Sequence, residues 1–163
     1  MSFTPKSERV RRDLLNPLKF WLYLWWRLPL AACAGLSLVR LDEARCEASL
    51  PGGWRTQNPF KSMYFAAQSM AAEMSTGAPA LTLATGSQAS ISTLVLGIRG
   101  DFTKKAVGRC TFTFEDVAAM AQAIETAAAS SEPVTFVARS TGRMKDGTVV
   151  AVFDITWTFK RRQ

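Results

Sequence analysis

The sequence predicts a mixed α+β fold in which an antiparallel sheet wraps around a long central helix. The stretch from Ser62 to Gly77 is rich in alanine and methionine and is apolar on nearly every face, as in a buried helix. Such a helix must be covered, and most of the later segments have the alternation of strands. The chain closes with two alternating segments joined by Lys145-Asp146-Gly147, which is typical of a β-hairpin.

Length and composition favour one domain, because 163 residues with 48% hydrophobic residues can bury a sizeable core. The three cysteines are widely spaced and odd in number, which predicts neither a disulfide framework nor a zinc site and favours a cytoplasmic location. Histidine is absent, so Ser-His-Asp and Cys-His nucleophiles and histidine-rich metal sites are excluded. We expect no metal and no resident cofactor.

The formal charge of +7 is compatible with nucleic acid, an anionic membrane or a phosphorylated small molecule as partner. Much of the positive charge lies at the two ends of the chain, and no aromatic-basic signature of RNA binding is present. We therefore interpret residues 1–15 as a flexible basic tail and residues 16–163 as a single domain, and we expect no nucleic acid partner.

An extra helix precedes the sheet. Asn16-Pro17 supplies an N-cap and a first-turn proline, and the helix is expected to run to about Gly35. Residues 18–39 are apolar over a length that spans a bilayer, but Lys19, Arg27 and Pro29 argue against a spanning helix. Burial against the sheet or a partner subunit is favoured. A peripheral membrane role remains open for the tryptophan cluster, which comprises Trp21, Trp25 and Trp26.

The remaining elements follow from alternation and turn residues. Residues 36–50 read as one strand with a bend near Asp42, closed by Pro51-Gly52-Gly53. The central helix is followed by a loop over 84–90, strands over 92–103 and 108–114, a helix over 116–130 and hairpin strands over 134–144 and 148–162.

Residues 54–73 read WRTQNPFKSMYFAAQSMAAE and resemble a motif of hotdog-fold proteins, in the phenylacetyl-CoA-thioesterase-like branch and in a related family of unknown function. In that motif an asparagine is followed by a loop and then by a helix with an acidic residue about fifteen positions on, as Asn58 and Glu73 are. The segment GIRGDFTKKAVGRCTFTFED is similar to the family's strand, basic loop and next strand, so the resemblance extends from about Asn16 to the C-terminus. It implies a hotdog fold, a homodimer or tetramer, and a site at the dimer interface.

The resemblance makes Glu73 the candidate catalytic carboxylate and Asn58 the residue that orients the water or the carbonyl. Each has an alternative: Glu73 on a solvated stripe or paired with an arginine, and Asn58 shaping the turn before Pro59. The family's His-Gly-Gly is replaced by Met63-Tyr64-Phe65-Ala66, and these bulkier residues stand where a thioester would approach the helix N-terminus.

The candidate substrate-binding side chains line the entrance of the helix and the basic loop. Ser62 is also a candidate N-cap, Tyr64 could pack or donate its hydroxyl, and Met63 could fill the core or contact an acyl chain. Cations near the mouth would suit coenzyme A phosphates, although a charged loop is often just solvated. The full set is Ser62, Met63, Tyr64, Gln68, Lys104, Lys105 and Arg109.

Two functional hypotheses follow. The first is an acyl-CoA thioesterase-like enzyme that hydrolyses or binds an acyl thioester at a dimer-interface pocket, with the coenzyme A thioester as substrate. The second is a non-catalytic hotdog protein that binds a fatty acyl ligand or serves as a structural dimer. The unusual helix entrance favours the second, and the Asn58-to-Glu73 separation favours the first.

Overall fold

The computed structural model describes residues 3–130 and 132–162. Residues 1, 2, 131 and 163 lie outside the described residues. They include the first two residues of the predicted tail and the last residue of the predicted domain. In chain order the elements are α1 Pro5–Leu15, α2 Pro17–Arg27, α3 Pro29–Ala34, β1 Ser37–Leu41, β2 Cys46–Leu50, α4 Phe65–Gly86, β3 Ile91–Phe102, β4 Cys110–Phe114, α5 Val117–Ala129, β5 Val134–Met144 and β6 Val149–Arg161.

The described strands form one antiparallel sheet of six, in the order β1-β2-β4-β5-β6-β3. The predicted closing hairpin, β5–β6, is confirmed. Arg143 pairs with Val149 across the turn, and Gly147 has a positive φ of 86°, as hairpin turns require. β3 pairs with β6, so β3 and β1 are the two edge strands.

Helix α4 packs on the sheet and contacts strands from β1 to β6, with α5 beside it. Alternate residues of the central strands point to it, and the largest of the buried side chains there are phenylalanines: Phe112, Phe114, Phe153 and Phe159. The predicted α+β architecture, an antiparallel sheet with a long helix packed on it, is confirmed, but the sheet has six strands where the sequence predicted five.

The central helix is longer than predicted and is displaced along the chain. It begins at Phe65 rather than Ser62 and continues to Gly86, nine residues beyond the expected stop at Gly77. Proline lacks a backbone N–H donor, and glycine is a poor helix former. Pro79 is nevertheless buried inside the helix, so tertiary contacts stabilise the helix through both Gly77 and Pro79. The loop expected over 84–90 consequently begins at Ser87.

The flexible tail predicted over residues 1–15 is wrong, because α1 occupies Pro5–Leu15 and packs on α4 and β1. Thr4 caps it by accepting a hydrogen bond from the Ser7 N–H, and the Thr4 hydroxyl donates to the Gly86 carbonyl. Ser7 is buried against Gly86, where any side chain would collide with it. Of the charges that suggested a solvated tail, Lys6, Arg9 and Arg12 are exposed, whereas Arg11 donates a hydrogen bond to the Leu41 carbonyl of β1.

Two further predictions are corrected at the N-terminal side. The single helix expected from Asn16 to about Gly35 is divided into α2 and α3, because Leu28 leaves the helical conformation before Pro29. The single strand expected over 36–50 is a hairpin, in which Asp42 Oδ1 accepts hydrogen bonds from the Ala44 and Arg45 N–H groups and turns the chain.

Candidate functional site

The only carboxylate near the middle of α4 is Glu73, and it lies partly buried. Its neighbour one turn later is Gly77, where a Cβ atom would lie 2.8 Å from Glu73 Oε1, so the absence of a side chain makes room for the carboxyl group. Burial raises the pKa of Glu73 above its ordinary value. No lysine or arginine of residues 3–130 and 132–162 forms an ion pair with it. The arginine-paired alternative is therefore wrong.

A groove of about 570 Å³ opens at the start of α4. It is formed by the loop before the helix, the first turns of the helix and the segment after β3. Seven of the nine predicted site residues line it: Asn58, Ser62, Met63, Tyr64, Gln68, Lys104 and Lys105. Its other walls are mainly apolar, and Phe65 and Phe102 meet edge to face across it with ring centroids 6.5 Å apart.

Asn58 organises the loop that enters α4. Its Oδ1 accepts hydrogen bonds from the N–H groups of Phe60 and Ser62 and from the Ser62 hydroxyl, and its backbone carbonyl accepts one from the Lys61 N–H. This closes a turn tight enough to hold Lys61 at a φ of 59°. The turn-shaping role of Asn58 is thus seen directly. Its amide nitrogen makes no hydrogen bond to the described part of the chain, which leaves a donor at the groove.

The N-terminus of α4 is open. The prediction that Ser62 caps this helix is wrong, because Tyr64 is the N-cap residue and no side chain among the described residues accepts a hydrogen bond from the first turn. The chain is fixed just before the helix, where the Met63 N–H donates to the Ala106 carbonyl and the Tyr64 N–H donates to the Thr56 carbonyl. The first-turn N–H groups, with the positive end of the helix dipole, are therefore held in place without a partner in the part of the chain that the structure describes.

Gln68 carries a buried acceptor with no donor. Its side chain is 4% exposed, and its Nε2 donates to the Met63 carbonyl at 3.1 Å. Its Oε1 is buried and finds no hydrogen-bond partner in the described part of the chain. A buried acceptor of this kind is costly unless something supplies a donor, and Gln68 lines the groove.

Not all predicted residues meet at the groove. Lys104 and Lys105 follow β3 and stand at its rim, but Arg109 lies at the start of β4, exposed, where it donates to Ser49 Oγ. Glu73 is also outside the groove: it lies eight residues beyond Phe65, which is about 12 Å along a helix. The predicted role of Arg109 beside the two lysines is not supported by this geometry.

The sequence predicted Gly77 as a helix stop, and it did not predict that Gly77 makes room for the Glu73 carboxyl group. A glycine four residues after a helical glutamate indicates space above the carboxylate, and that spacing is visible in the sequence. The described residues contain no cluster of three side chains that could hold a metal ion.

A family model described as a domain of unknown function, DUF4442, matches residues 20–159. The chain belongs to the DUF4442 family. No curated protein matches this DUF4442 chain. The family of unknown function that the motif resembled is thereby confirmed.

Several solved structures similar to this DUF4442 chain are described as thioesterases or probable thioesterases. A protein of unknown function from Pseudomonas aeruginosa, described as a probable thioesterase, is 20% identical, with a TM-score of 0.72 over 90% of this chain and 97% of that one. A thioesterase from Haemophilus influenzae is 15% identical, with a TM-score of 0.63 over 86% and 88% of the two chains.

A Staphylococcus aureus protein is represented by two variants. A form of this thioesterase with a glutamine replaced by alanine is 16% identical, with a TM-score of 0.62 over 81% of this chain and 98% of that one. A second form has a glutamate replaced by alanine, with 16% identity and a TM-score of 0.60 over 82% and 99%. These similarities show that the DUF4442 chain has the fold of thioesterase-like hotdog proteins.

Proposed function

We propose that this protein is an acyl-CoA thioesterase, in which Glu73 of one subunit and the groove at the start of α4 in its partner act on one acyl thioester. The observation that carries the proposal is Glu73, a partly buried carboxyl group on the central helix that has no cationic partner in the described chain. A charge so placed is costly to the fold, which points to a role beyond stability.

The raised pKa suits a general base. A carboxylate whose pKa is nearer to neutrality accepts a proton from water more readily. The water oxygen then bonds to the thioester carbonyl carbon while Glu73 takes the proton. The C–S bond breaks, and the leaving thiolate recovers that proton, giving a carboxylic acid and the free thiol.

The open N-terminus of α4 supplies the second requirement, which is stabilisation of the oxygen that becomes negative. The first-turn N–H groups, which have no side-chain partner in the described chain, lie at the end of α4 that lines the groove, and the Asn58 amide nitrogen adds a further donor there. The loop hydrogen bonds to Asn58 Oδ1 hold that amide in place before substrate arrives.

One chain cannot bring both parts to the same carbonyl. About 12 Å of helix separates the first turn of α4 from Glu73, whereas the reacting water must lie within hydrogen-bonding distance of the carboxylate. A two-fold dimer that sets two α4 helices antiparallel would place Glu73 of each chain near the helix start of the other. This requirement is our reason for assigning the site to a dimer interface.

Strand β3 is the surface that suits such a dimer. It is twelve residues long, its outer edge has no partner strand within the described chain, and three of its large apolar residues, Leu94, Leu96 and Ile98, are exposed. A long, apolar, unprotected edge strand normally pairs with another strand. Pairing of β3 with β3 of a second copy would join the two sheets and bring the two α4 helices together.

The rest of the groove suits a coenzyme A thioester. Lys104 and Lys105 at the rim would bind its phosphates, and the unpaired Gln68 Oε1 would accept a hydrogen bond from an amide N–H of the pantetheine arm. Met63, Phe65 and Phe102 provide apolar walls. The two alanine variants of the Staphylococcus aureus protein lend support, because the replaced glutamine and glutamate are fifteen positions apart, like Asn58 and Glu73.

The alternative is a non-catalytic hotdog protein that holds an acyl ligand. It is favoured by the aromatic pair Tyr64 and Phe65, whose ring centroids lie 4.7 Å apart at the helix entrance, where the related motif has glycines. The two functions differ in whether the C–S bond breaks, so they are separable by turnover.

The test is hydrolysis of a series of acyl-CoAs of increasing chain length by the purified protein, with release of free thiol as the readout. Glu73→Gln should lower kcat by about 10² to 10⁴, the usual contribution of a general base. Glu115→Gln, which alters an exposed carboxylate outside the site, should leave kcat unchanged.

The pH dependence of the wild-type protein sharpens this test. Because only ionised Glu73 can accept a proton, kcat should rise with pH through a pKa above 4.5, the ordinary value for this group. Absence of turnover across the series would leave the acyl-binding alternative. Turnover that survives Glu73→Gln would contradict the assignment of Glu73 as the general base.

A further inference from the structure

The outer face of α2 carries five large apolar side chains that are 46 to 84% exposed. They are Leu18, Trp21, Leu22, Trp25 and Trp26. Their spacing of i, i+3, i+4, i+7 and i+8 places them on one stripe of the helix, opposite Phe20 and Leu24, which are buried against the body of the protein. α2 is therefore apolar on two opposite faces.

This outer face changes the interpretation of the N-terminal apolar segment. The sequence favoured burial of the whole segment, but only one stripe of α2 is buried, and Trp26 is 84% exposed. The three indoles and two leucines together expose an apolar area on the order of 500 Å², at the upper end of what a monomeric soluble protein shows. α3 extends this apolar surface with the exposed Leu30.

The outer face of α2 is remote from the β3 edge. α2 packs against α1, α3 and β1, and β1 is the strand at the opposite end of the sheet from β3. A dimer formed through β3 would therefore leave this face uncovered.

Positive charge surrounds the outer face of α2. Beside Leu18, at the corner between α1 and α2, Arg9, Arg12 and Lys19 lie around Asp13, and Arg12 also lies 4.0 Å from Glu8. Arg27 ends the helix on the other side. A second copy of this chain would bring the same cations to the contact, which disfavours self-association through this face. An anionic surface would be attracted to it.

We infer that α2 is a membrane-binding helix that lies on the surface of an anionic phospholipid bilayer. Tryptophan with flanking lysine and arginine is the composition of helices that rest at the boundary of headgroups and acyl chains. None of the helices in the described part of the chain is long and apolar enough to cross a bilayer. The outer face would enter the headgroup region while the stripe of Phe20 and Leu24 stays packed on the protein.

The experiment is co-sedimentation of the full-length protein with vesicles of phosphatidylcholine alone, and of phosphatidylcholine with phosphatidylglycerol in equal parts. The wild-type protein should sediment with the anionic vesicles and much less with the neutral ones. Raising the salt from about 0.1 M to about 1 M should release it in part, because the Debye length falls from about 10 Å to about 3 Å.

Two pairs of variants separate the apolar and the charge contributions. Trp25→Ser with Trp26→Ser should lower the partition coefficient at least about tenfold, because binding scales with the apolar area inserted. The matched control, Trp25→Phe with Trp26→Phe, keeps that area and should retain most of the binding. Arg9→Glu with Arg12→Glu should reduce binding to anionic vesicles only.

Failure of the wild-type protein to bind anionic vesicles would overturn the inference, whatever the variants do. So would serine variants that bind vesicles normally but change the molar mass of the protein in solution, since the outer face would then be a protein interface. The inference does not depend on thioesterase activity, so the two can fail separately.

Discussion

Two sets of polar groups on α4 differ in whether they have hydrogen-bond partners, although they are neighbours in the chain. Ser75 and Thr76 are fully buried and satisfied within the chain: Ser75 Oγ lies 2.7 Å from Ser140 Oγ, and the Trp157 indole N–H donates to Thr76 Oγ1 at 3.0 Å. Glu73 and Gln68 Oε1 lack such partners in the described chain.

This difference distinguishes polar groups that hold the fold from polar groups that are available to something else. Buried polar groups of a folded chain normally find partners inside it, so the unpaired ones indicate a ligand or a second chain. On α4 the paired groups contact the sheet strands β5 and β6 through Ser140 and Trp157, whereas Gln68 lines the groove and Glu73 is only partly buried.

The largest effect on stability is expected from breaking a paired group. Thr76→Val keeps the shape of the side chain but leaves the buried Trp157 N–H without an acceptor, so the free energy of unfolding should fall by about 1 to 3 kcal/mol. Urea denaturation would measure it. Adding Trp157→Phe removes the orphan donor as well and should make the double variant less destabilised than the sum of the single changes. Additive effects would show that the indole and hydroxyl are not coupled.

A smaller and opposite effect is expected beside the unpaired group. Gly77→Ala should raise the free energy of unfolding by about 0.5 to 1 kcal/mol, because alanine is the better helix former. The new methyl would displace the Glu73 carboxyl, which lies 2.8 Å from its position, so kcat should fall at the same time.

The matched control for Gly77→Ala is Thr85→Ala, an exposed position on the same helix that also gains helix propensity. It should stabilise the protein without a change in kcat. Equal kcat values for Gly77→Ala and the wild-type protein would argue against a role for the position of the Glu73 carboxyl.

The sequence predicted those parts of the fold that depend on local patterns. The β5–β6 hairpin follows from alternation and Asp146-Gly147, and α5 follows from its alanine-rich run after Asp116. The failures occur where tertiary packing overrides a local signal. Gly77 was predicted to end the central helix but lies inside α4, and the charged residues of α1 hid a helix that is fixed through Ser7 and Gly86.

The candidate site was predictable in composition and not in arrangement. Seven of the nine predicted residues line one groove. Five of them lie close together in the sequence, between positions 58 and 68, and the other two, Lys104 and Lys105, follow β3. The distance from that groove to Glu73 could not be read from the residue list, since it depends on where α4 begins. The open helix N-terminus was likewise hidden, because Ser62 resembles a cap and bonds to Asn58 instead.

The central claim, that Glu73 of one subunit acts with the groove of its partner, is tested most directly by mixing two inactive chains. Glu73→Gln and Asn58→Ala would be co-expressed with different tags, and the mixed dimer isolated with both. Each variant alone should be inactive toward the best acyl-CoA.

A site shared between subunits gives each mixed dimer one intact site and one doubly altered site, so its kcat should recover to about half of the wild-type value per dimer. A mixed dimer as inactive as its parents would contradict the shared site, because it would place Glu73 and Asn58 in the same chain's site.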